Sequence, residues 1–349
     1  MKILLFEIST SHEECIYSQV KFLADSGYEV DLILNASLKN SVNSYSHLFS
    51  TIKYIEPIKK GILKKLAQQR KLIKILKKYP IVIFNTASSS KIVRNLALLL
   101  SFYKVKCLGI LHNGKKLNNS FTQKVISLKI KKYFVLSDAI KTSLNSKNRI
   151  KIESFYPCYF PLYENKIIKP SSEIWISIPG RIDLGRRDYN LLLDCVTLNP
   201  LNTKIKFLIL GRLNKESKEG KALWQKITER NLTSYFKIFE EFIPNNIYHN
   251  YLIQSNFIMP LLKMNDDYLG NKISGSFNLA YAYRKPLLCN NYFKSLPDLK
   301  ENAVFFDELS LPIVLNEITK NNYIDIARYS DNKWLYAYQK EKYINFLQA

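Results

Sequence analysis

Apolar runs of strand length alternate with segments of helical period along this chain, and the alternation occurs twice. In the first half, Ile3–Phe6, Val30–Leu34, Ile81–Phe84, Cys107–Leu111 and Tyr133–Leu136 read as strands. Glu14–Ser26, Ile62–Lys78, Lys91–Tyr103 and Asp138–Asn145 read as helices. Strands that alternate with helices predict a doubly wound parallel α/β sheet, because parallel neighbours need a crossover. Three prolines between Ser154 and Pro170 break the pattern and mark a linker. The alternation then restarts with strands at Ile174–Ile178, Ile205–Leu210, Phe236–Phe239, Phe257–Pro260, Pro286–Cys289 and Val304–Phe306. Helices are expected at Asp188–Leu198, Lys218–Arg230, Ile247–Gln254, Phe277–Tyr283 and Pro312–Thr319. Two such units in series imply two Rossmann-like domains, 1–160 and 171–322, facing a cleft where strand carboxyl ends hold ligands. The tail, 323–349, reads as one or two helices packing back on the first domain.

Charge narrows the partners. The net charge is +23, yet residues 51–150 alone hold 23 Lys/Arg against Glu56 and Asp138. A surface there meets something anionic: phospholipid, a pyrophosphate-bearing substrate or nucleic acid. The helix candidate within it carries one apolar stripe, Ile62, Leu66, Ile73 and Leu76, expected to pack on the sheet. Its outer face carries Lys64, Lys65, Arg70, Lys71, Lys74, Lys77 and Lys78, which suits an anionic bilayer. The charges are mostly lysines without aromatic interleaving, which argues against nucleic acid. Five scattered cysteines, with no CxxC and no zinc spacing, exclude a disulfide framework and give no metal site. The opening MKILLF reads as a strand and not a leader, and the longest apolar stretch, Ala97–Tyr103, is too short to span a bilayer. Together these lead to the expectation of a cytoplasmic protein, peripheral at the inner face of a membrane.

Phosphate-binding features cluster in the second half. Gly180 ends a strand and precedes a loop with Arg181, Arg186 and Arg187, whose planar forks suit phosphate. The bland alternative is a solvated loop in which these arginines pair with Asp183 and Asp188. A second strand runs into Gly211-Arg212. Ser274-Gly275-Ser276, with Lys272 just before, opens a helix. A helix start with free N–H groups, a glycine and a cation can hold a phosphate, although Ser274 would equally serve as an N-cap. Ser11-x-x-Glu14 reads as a capping box on the first helix. Just after the first strand, His12 and Glu13 are candidates for a general base, with Glu13 ahead.

The ordered set resembles the C-terminal half of group 1 (family 4-like) glycosyltransferases with the GT-B fold. It runs Gly180-Arg181, Arg186 or Arg187, Leu210-Gly211, Phe242-Ile243-Pro244, Tyr248, Ser255-Asn256, Pro260, Ser274-Gly275 and Lys285-Pro286. The N-terminal half is similar more loosely, through MKILLF, LADSGYEVDLIL, LGILHN and FVLSDAIKTSL. The resemblance implies that Arg181, Arg186, Ser274, Gly275 and Ser276 hold the diphosphate of a sugar nucleotide. It places Gly211, Phe242, Ile243 and Tyr248 toward the nucleobase, and His112 near the donor sugar. No metal or other cofactor is implied. Two glutamates common in the family are replaced by Asn271 and Leu279. An amide at Asn271 can touch sugar hydroxyls and Asn278 can reach the ribose, while the stereochemical course stays open.

The reading is therefore a glycosyltransferase moving a sugar from a nucleotide-diphosphate donor to a glycan or lipid-linked acceptor in bacterial surface-polysaccharide synthesis. The rivals are a non-catalytic nucleotide- or glycan-binding scaffold and, less favoured, a basic nucleic-acid-binding protein.

Overall fold

Two all-parallel sheets, one in each of two units, organise the chain in this computed structural model. The structure describes all residues except 59, 89, 145–148, 165 and 321–328. The first sheet has seven strands, β1 (Lys2–Glu7), β2 (Glu29–Asn35), β3 (Thr51–Ile55), β4 (Ile81–Phe84), β5 (Lys106–Leu111), β6 (Lys132–Val135) and β7 (Lys151–Ser154). Their spatial order is β3-β2-β1-β4-β5-β6-β7. The second has six, β8 (Ile174–Pro179), β9 (Ile205–Arg212), β10 (Phe236–Phe239), β11 (Phe257–Ile258), β12 (Leu287–Asn290) and β13 (Ala303–Phe306), in the order β10-β9-β8-β11-β12-β13. In both, the chain starts centrally, builds outward on one side, then reverses, which makes a switch point beside β1 and beside β8.

Burial follows from that topology. Strands covered on both faces must be apolar at successive positions. Along β1, Ile3 and Leu5 join one core layer and Leu4 and Phe6 the other. The second unit's core gathers Ile176, Ile178, Phe207, Ile209 and Met259 with helical residues such as Leu192, Leu223 and Leu315.

The first unit comprises Met1–Pro161, Gly270–Ile273 and Asp331–Ala349, and the second Leu162–Leu269 and Ser274–Ser330. A helix at Tyr336–Gln348 supplies Tyr343, Ile344 and Leu347 to the first core. The Tyr343 ring stacks on Phe134 with centroids 4.3 Å apart. The expected start of the tail at Tyr323, the helix end at Asn145 and the end of the second domain at 322 lie outside the described residues.

Three expectations need correction. The presumed linker begins too early: Ser154 ends β7, and Phe155 and Tyr156 are fully buried. The strand expected at Phe257–Pro260 is paired only over Phe257–Ile258. The helix at Ile62–Leu76 does not pack along its whole stripe: Leu72, Ile73 and Leu76 are buried, but Ile62 is 76% and Leu66 45% exposed.

Candidate active site

In the second unit, the turn after β8 is built around one glycine. Gly180 has φ +103°, a conformation L side chains rarely adopt, and a Cβ there would lie 2.7 Å from Arg187 Nη2. Arg187 is buried and donates to the carbonyls of Pro179, Pro260 and Arg181. It thereby ties the ends of β8 and β11 to the loop. Burial, more than any neighbouring charge, lowers its pKa. Arg187 is thus placed as a loop fastener and not, as the sequence suggested, a hand reaching for phosphate. Gly211 is also needed bare, because a Cβ would meet the Gly180 carbonyl oxygen at 2.3 Å.

Arg181 and Arg186 are not tied up by the acids of their own loop. Asp183 accepts from the Arg186 backbone N–H at 3.0 Å, and Asp188 caps the next helix through Leu191 N–H at 3.3 Å. Among the described residues, neither Arg181 nor Arg186 forms an ion pair, so the expected acid partners are spent on backbone. Arg186 Nη2 instead donates to Ser274 Oγ at 3.3 Å, and its guanidinium lies 5.4 Å from the centre of the Tyr268 ring. Ser274 is the N-cap of the Gly275–Tyr283 helix, accepting from Ser276 N–H at 3.4 Å. Ser276 Oγ donates to the Pro179 carbonyl at 3.2 Å, the same oxygen that Arg187 holds. Gly275 is exposed, with nothing within 4 Å of its missing Cβ. The arginine loop and the helix start therefore converge within this unit.

Other candidates distribute unevenly. Ile243 is buried and Phe242 is 70% exposed. Tyr248 lies in the first turn of the Asn245–Gln254 helix, its N–H on the Pro244 carbonyl at 2.8 Å, and packs edge-on against His249. Asn278 is buried with its Oδ1 lacking a hydrogen-bond partner among the described residues. Asn271 and Lys272 belong to the first unit, where the Asn271 carbonyl accepts from Gly114 N–H at 2.7 Å.

In the first unit, His12, Glu13 and His112 meet at the carboxyl ends of the central strands β1, β4 and β5. The imidazoles of His12 and His112 stack with centroids 3.6 Å apart. The residue that assembles them is Asn85, just after β4. Its Nδ2 donates to Glu7 Oε2 at 2.7 Å and to the His12 carbonyl at 2.8 Å, and its own carbonyl lies 2.6 Å from His112 Nε2. A carbonyl only accepts, so Nε2 carries the proton and Nδ1 is left as a lone pair. That Nδ1 is buried without a partner among the described residues. Burial, then His12, push the His112 pKa down to about 3, so the ring is neutral. Glu7 is fully engaged, accepting also from Thr86 Oγ1 at 2.6 Å and Ser9 N–H at 2.7 Å. Neither Glu7 nor Asn85 stood out in the sequence. A carboxylate at the end of an otherwise apolar strand was the available signal.

The capping box does not form. His12, in a left-handed conformation at φ 72°, occupies the N-cap position, and Glu14 turns to His12 Nδ1 at 3.5 Å. Burial alone would lower the His12 pKa, but the Glu14 carboxylate beside it raises it above the usual histidine value. Burial and the like charge of Glu14 push the Glu13 carboxyl up to about 6. A carboxylate tuned to that range can take a proton near neutral pH.

No family model matches this sequence, and no curated protein matches it. Solved structures do. Anabaena HepE in complex with UDP and glucose is similar over 100% of this chain and 99% of its own, with 14% identity and a TM-score of 0.72. A UDP-N-acetylglucosamine 2-epimerase is similar over 99% and 95%, with 10% identity and a TM-score of 0.68. An alpha-glucosyltransferase in complex with UDP-glucose and DNA is similar over 99% and 95%, with 17% identity and a TM-score of 0.58. At these identities the comparison shows the fold: a two-domain α/β chain of the GT-B type.

Proposed function

We propose that this protein is a glycosyltransferase that uses a nucleotide-diphosphate sugar. The observation that carries the proposal is the contact of Arg186 with Ser274 at the start of the Gly275 helix, with Arg181 and Arg186 un-neutralised beside it. Such an arrangement matches a diphosphate, which offers several anionic oxygens to forks and amides at once. Structures with UDP, or with UDP-glucose and DNA, among those sharing this fold support the reading, as does the ordered motif set of family 4-like group 1 enzymes.

In the transfer, the bond from the sugar's anomeric carbon to the diphosphate oxygen breaks and a bond to the acceptor oxygen forms. The leaving diphosphate takes the electron pair, and the charge that grows on it is met by Arg181, Arg186 and the Gly275 amide. The acceptor hydroxyl's proton goes to a base, for which Glu13 is the candidate and His12 the second. His112, neutral and holding Nδ1 open, accepts a hydrogen bond from a sugar hydroxyl. The missing glutamates at Asn271 and Leu279 leave retention or inversion to experiment. We further propose a glycan or lipid-linked acceptor in bacterial surface-polysaccharide synthesis at the inner face of a membrane, a reading supported by the run of 19 Lys/Arg without an acid from Pro57 to Ser137.

A panel of UDP- and GDP-sugars in a thermal-shift assay tests the donor, because bound ligand raises the melting point by mass action. Release of free nucleotide with and without acceptor then tests turnover, and R186Q should weaken donor binding about ten-fold or more. No shift with any sugar nucleotide would reject the reading. Binding without turnover would favour the scaffold, and interconversion of the free donor sugar without transfer would favour an epimerase.

A further inference from the structure

The Ile62–Leu76 helix has two unlike halves. Leu72, Ile73 and Leu76 are buried against the sheet. Residues 62–67 are exposed at every position, so the first turn and a half stands clear of the unit on all sides. Ile62 is 76% and Leu63 77% exposed, next to Leu66 at 45%. Lys60, Lys64 and Lys65 flank them, also exposed, and Lys64 and Lys65 form no ion pair among the described residues. The helix has no acid in its first turn and no side-chain cap. Lysines at a helix start oppose the helix dipole, so this placement does not serve the helix itself.

The wider surface has the same sign. From Pro57 to Ser137 the chain has 19 Lys/Arg and no acidic residue. A protein partner with an acidic patch would satisfy the lysines but leave two adjacent aliphatic side chains to find a fitted pocket. Nucleic acid would satisfy the lysines and offer nothing to Ile62 and Leu63. An anionic bilayer meets both, with phosphates at the level of the ammonium groups and acyl chain beneath.

We propose that the entry turns of this helix are a membrane wedge: Ile62, Leu63 and Leu66 enter the acyl boundary of an anionic bilayer while Lys60, Lys64 and Lys65 hold its headgroup phosphates. The proposal deepens the membrane-side placement of the enzyme and rests on it. The binding is monotopic, since no helix among the described residues is long and apolar enough to cross a membrane.

The test is co-sedimentation of the full chain with phosphatidylglycerol/phosphatidylcholine vesicles against phosphatidylcholine alone. The anionic vesicles should bind and the neutral ones should not. Burial of one aliphatic side chain is worth roughly ten-fold or more in an equilibrium, so I62S/L63S should cut the partition constant at least ten-fold. Each lysine near the surface is worth about five-fold, so K64Q/K65Q should cut it about 25-fold. L63W should show a blue-shifted emission on anionic vesicles. L309S removes an equally exposed side chain in the second unit (86% exposed) and should change nothing. Absence of binding, binding indifferent to I62S/L63S, or equal loss with L309S would overturn the wedge. So would a steeply salt-dependent affinity for duplex DNA without vesicle binding. Donor binding is read separately by thermal shift, so the wedge can fail while the donor assignment stands, and the reverse.

Discussion

Adding one methyl group at Gly180 should damage the second unit, whereas the same change at Gly275 should spare it. At Gly180 two costs combine. The left-handed φ of +103° costs an L residue about 1–2 kcal/mol. The new Cβ also meets Arg187 Nη2 at 2.7 Å, and that guanidinium cannot step aside without releasing buried carbonyls of Pro179, Pro260 or Arg181. Losing one such charged hydrogen bond costs about 1.5–3 kcal/mol. G180A should therefore lose about 2.5–5 kcal/mol. With a urea slope of about 3 kcal/mol/M, that is a midpoint drop of about 0.8–1.7 M. At Gly275 there is no positive φ and no neighbour within 4 Å. G275A should stay within about 1 kcal/mol of the parent, because alanine is the better helix former. Its methyl would nevertheless occupy the space in which the anion is proposed to sit, so donor affinity should fall about ten-fold or more. Urea unfolding followed by circular dichroism, with donor titration on the same samples, reads both. A G180A midpoint unchanged within 0.3 M, or a G275A variant as unstable as G180A, would refute the reasoning.

E13Q separates catalysis from stability. Glu13 is raised to about 6 from an ordinary 4.5, so the folded state holds more protons than the unfolded between those values and stability falls as pH rises through that window. Glutamine should therefore stabilise the protein by about 1–2 kcal/mol at pH 7, while turnover falls a hundred-fold or more and loses its rise near pH 6. An unchanged pH–rate profile would remove Glu13 from the mechanism. Y343A removes a fully buried ring stacked on Phe134, whose hydroxyl donates to Gln19 Oε1 at 3.1 Å. It should cost about 3–5 kcal/mol in urea unfolding, and a loss below 1 kcal/mol would show that the last helix does not support the first core.

What the sequence disclosed and withheld follows from physics. Ile81–Phe84, inside the first sheet, agrees with the structure residue for residue, and so does Phe236–Phe239, an edge of the second sheet that keeps three apolar residues in four. The two strands that escaped notice, β3 and β7, are the two edges of the first sheet. Thr51–Ile55 is mostly exposed or half-exposed, and Lys151–Ser154 is charged. These two edges are covered less, so their composition carries little of the apolar signal, whereas the edges of the second sheet, FKIF and AVFF, stay apolar and were legible. The Phe121–Lys129 helix was hidden similarly, with Phe121 76% and Leu128 62% exposed. At the site, residue type announced the arginines and the Ser-Gly-Ser helix start. It could not say which arginine is buried, because Arg186 and Arg187 are neighbours in an identical local context and only the carbonyls brought by β8 and β11 distinguish them. Asn85 escaped for a related reason: its role lies in three contacts with residues 27 to 78 positions distant, and nothing in its immediate neighbours marks it.

The first unit is assembled from three separated stretches of chain, the last beginning at Asp331, while every residue of the second lies between Leu162 and Ser330. During synthesis from the amino end, a domain encoded first ordinarily finishes first. Here it cannot: the earlier unit's core around Phe134 and Phe155 stays incomplete until Tyr343 is added, after the last residue of the second unit has been made.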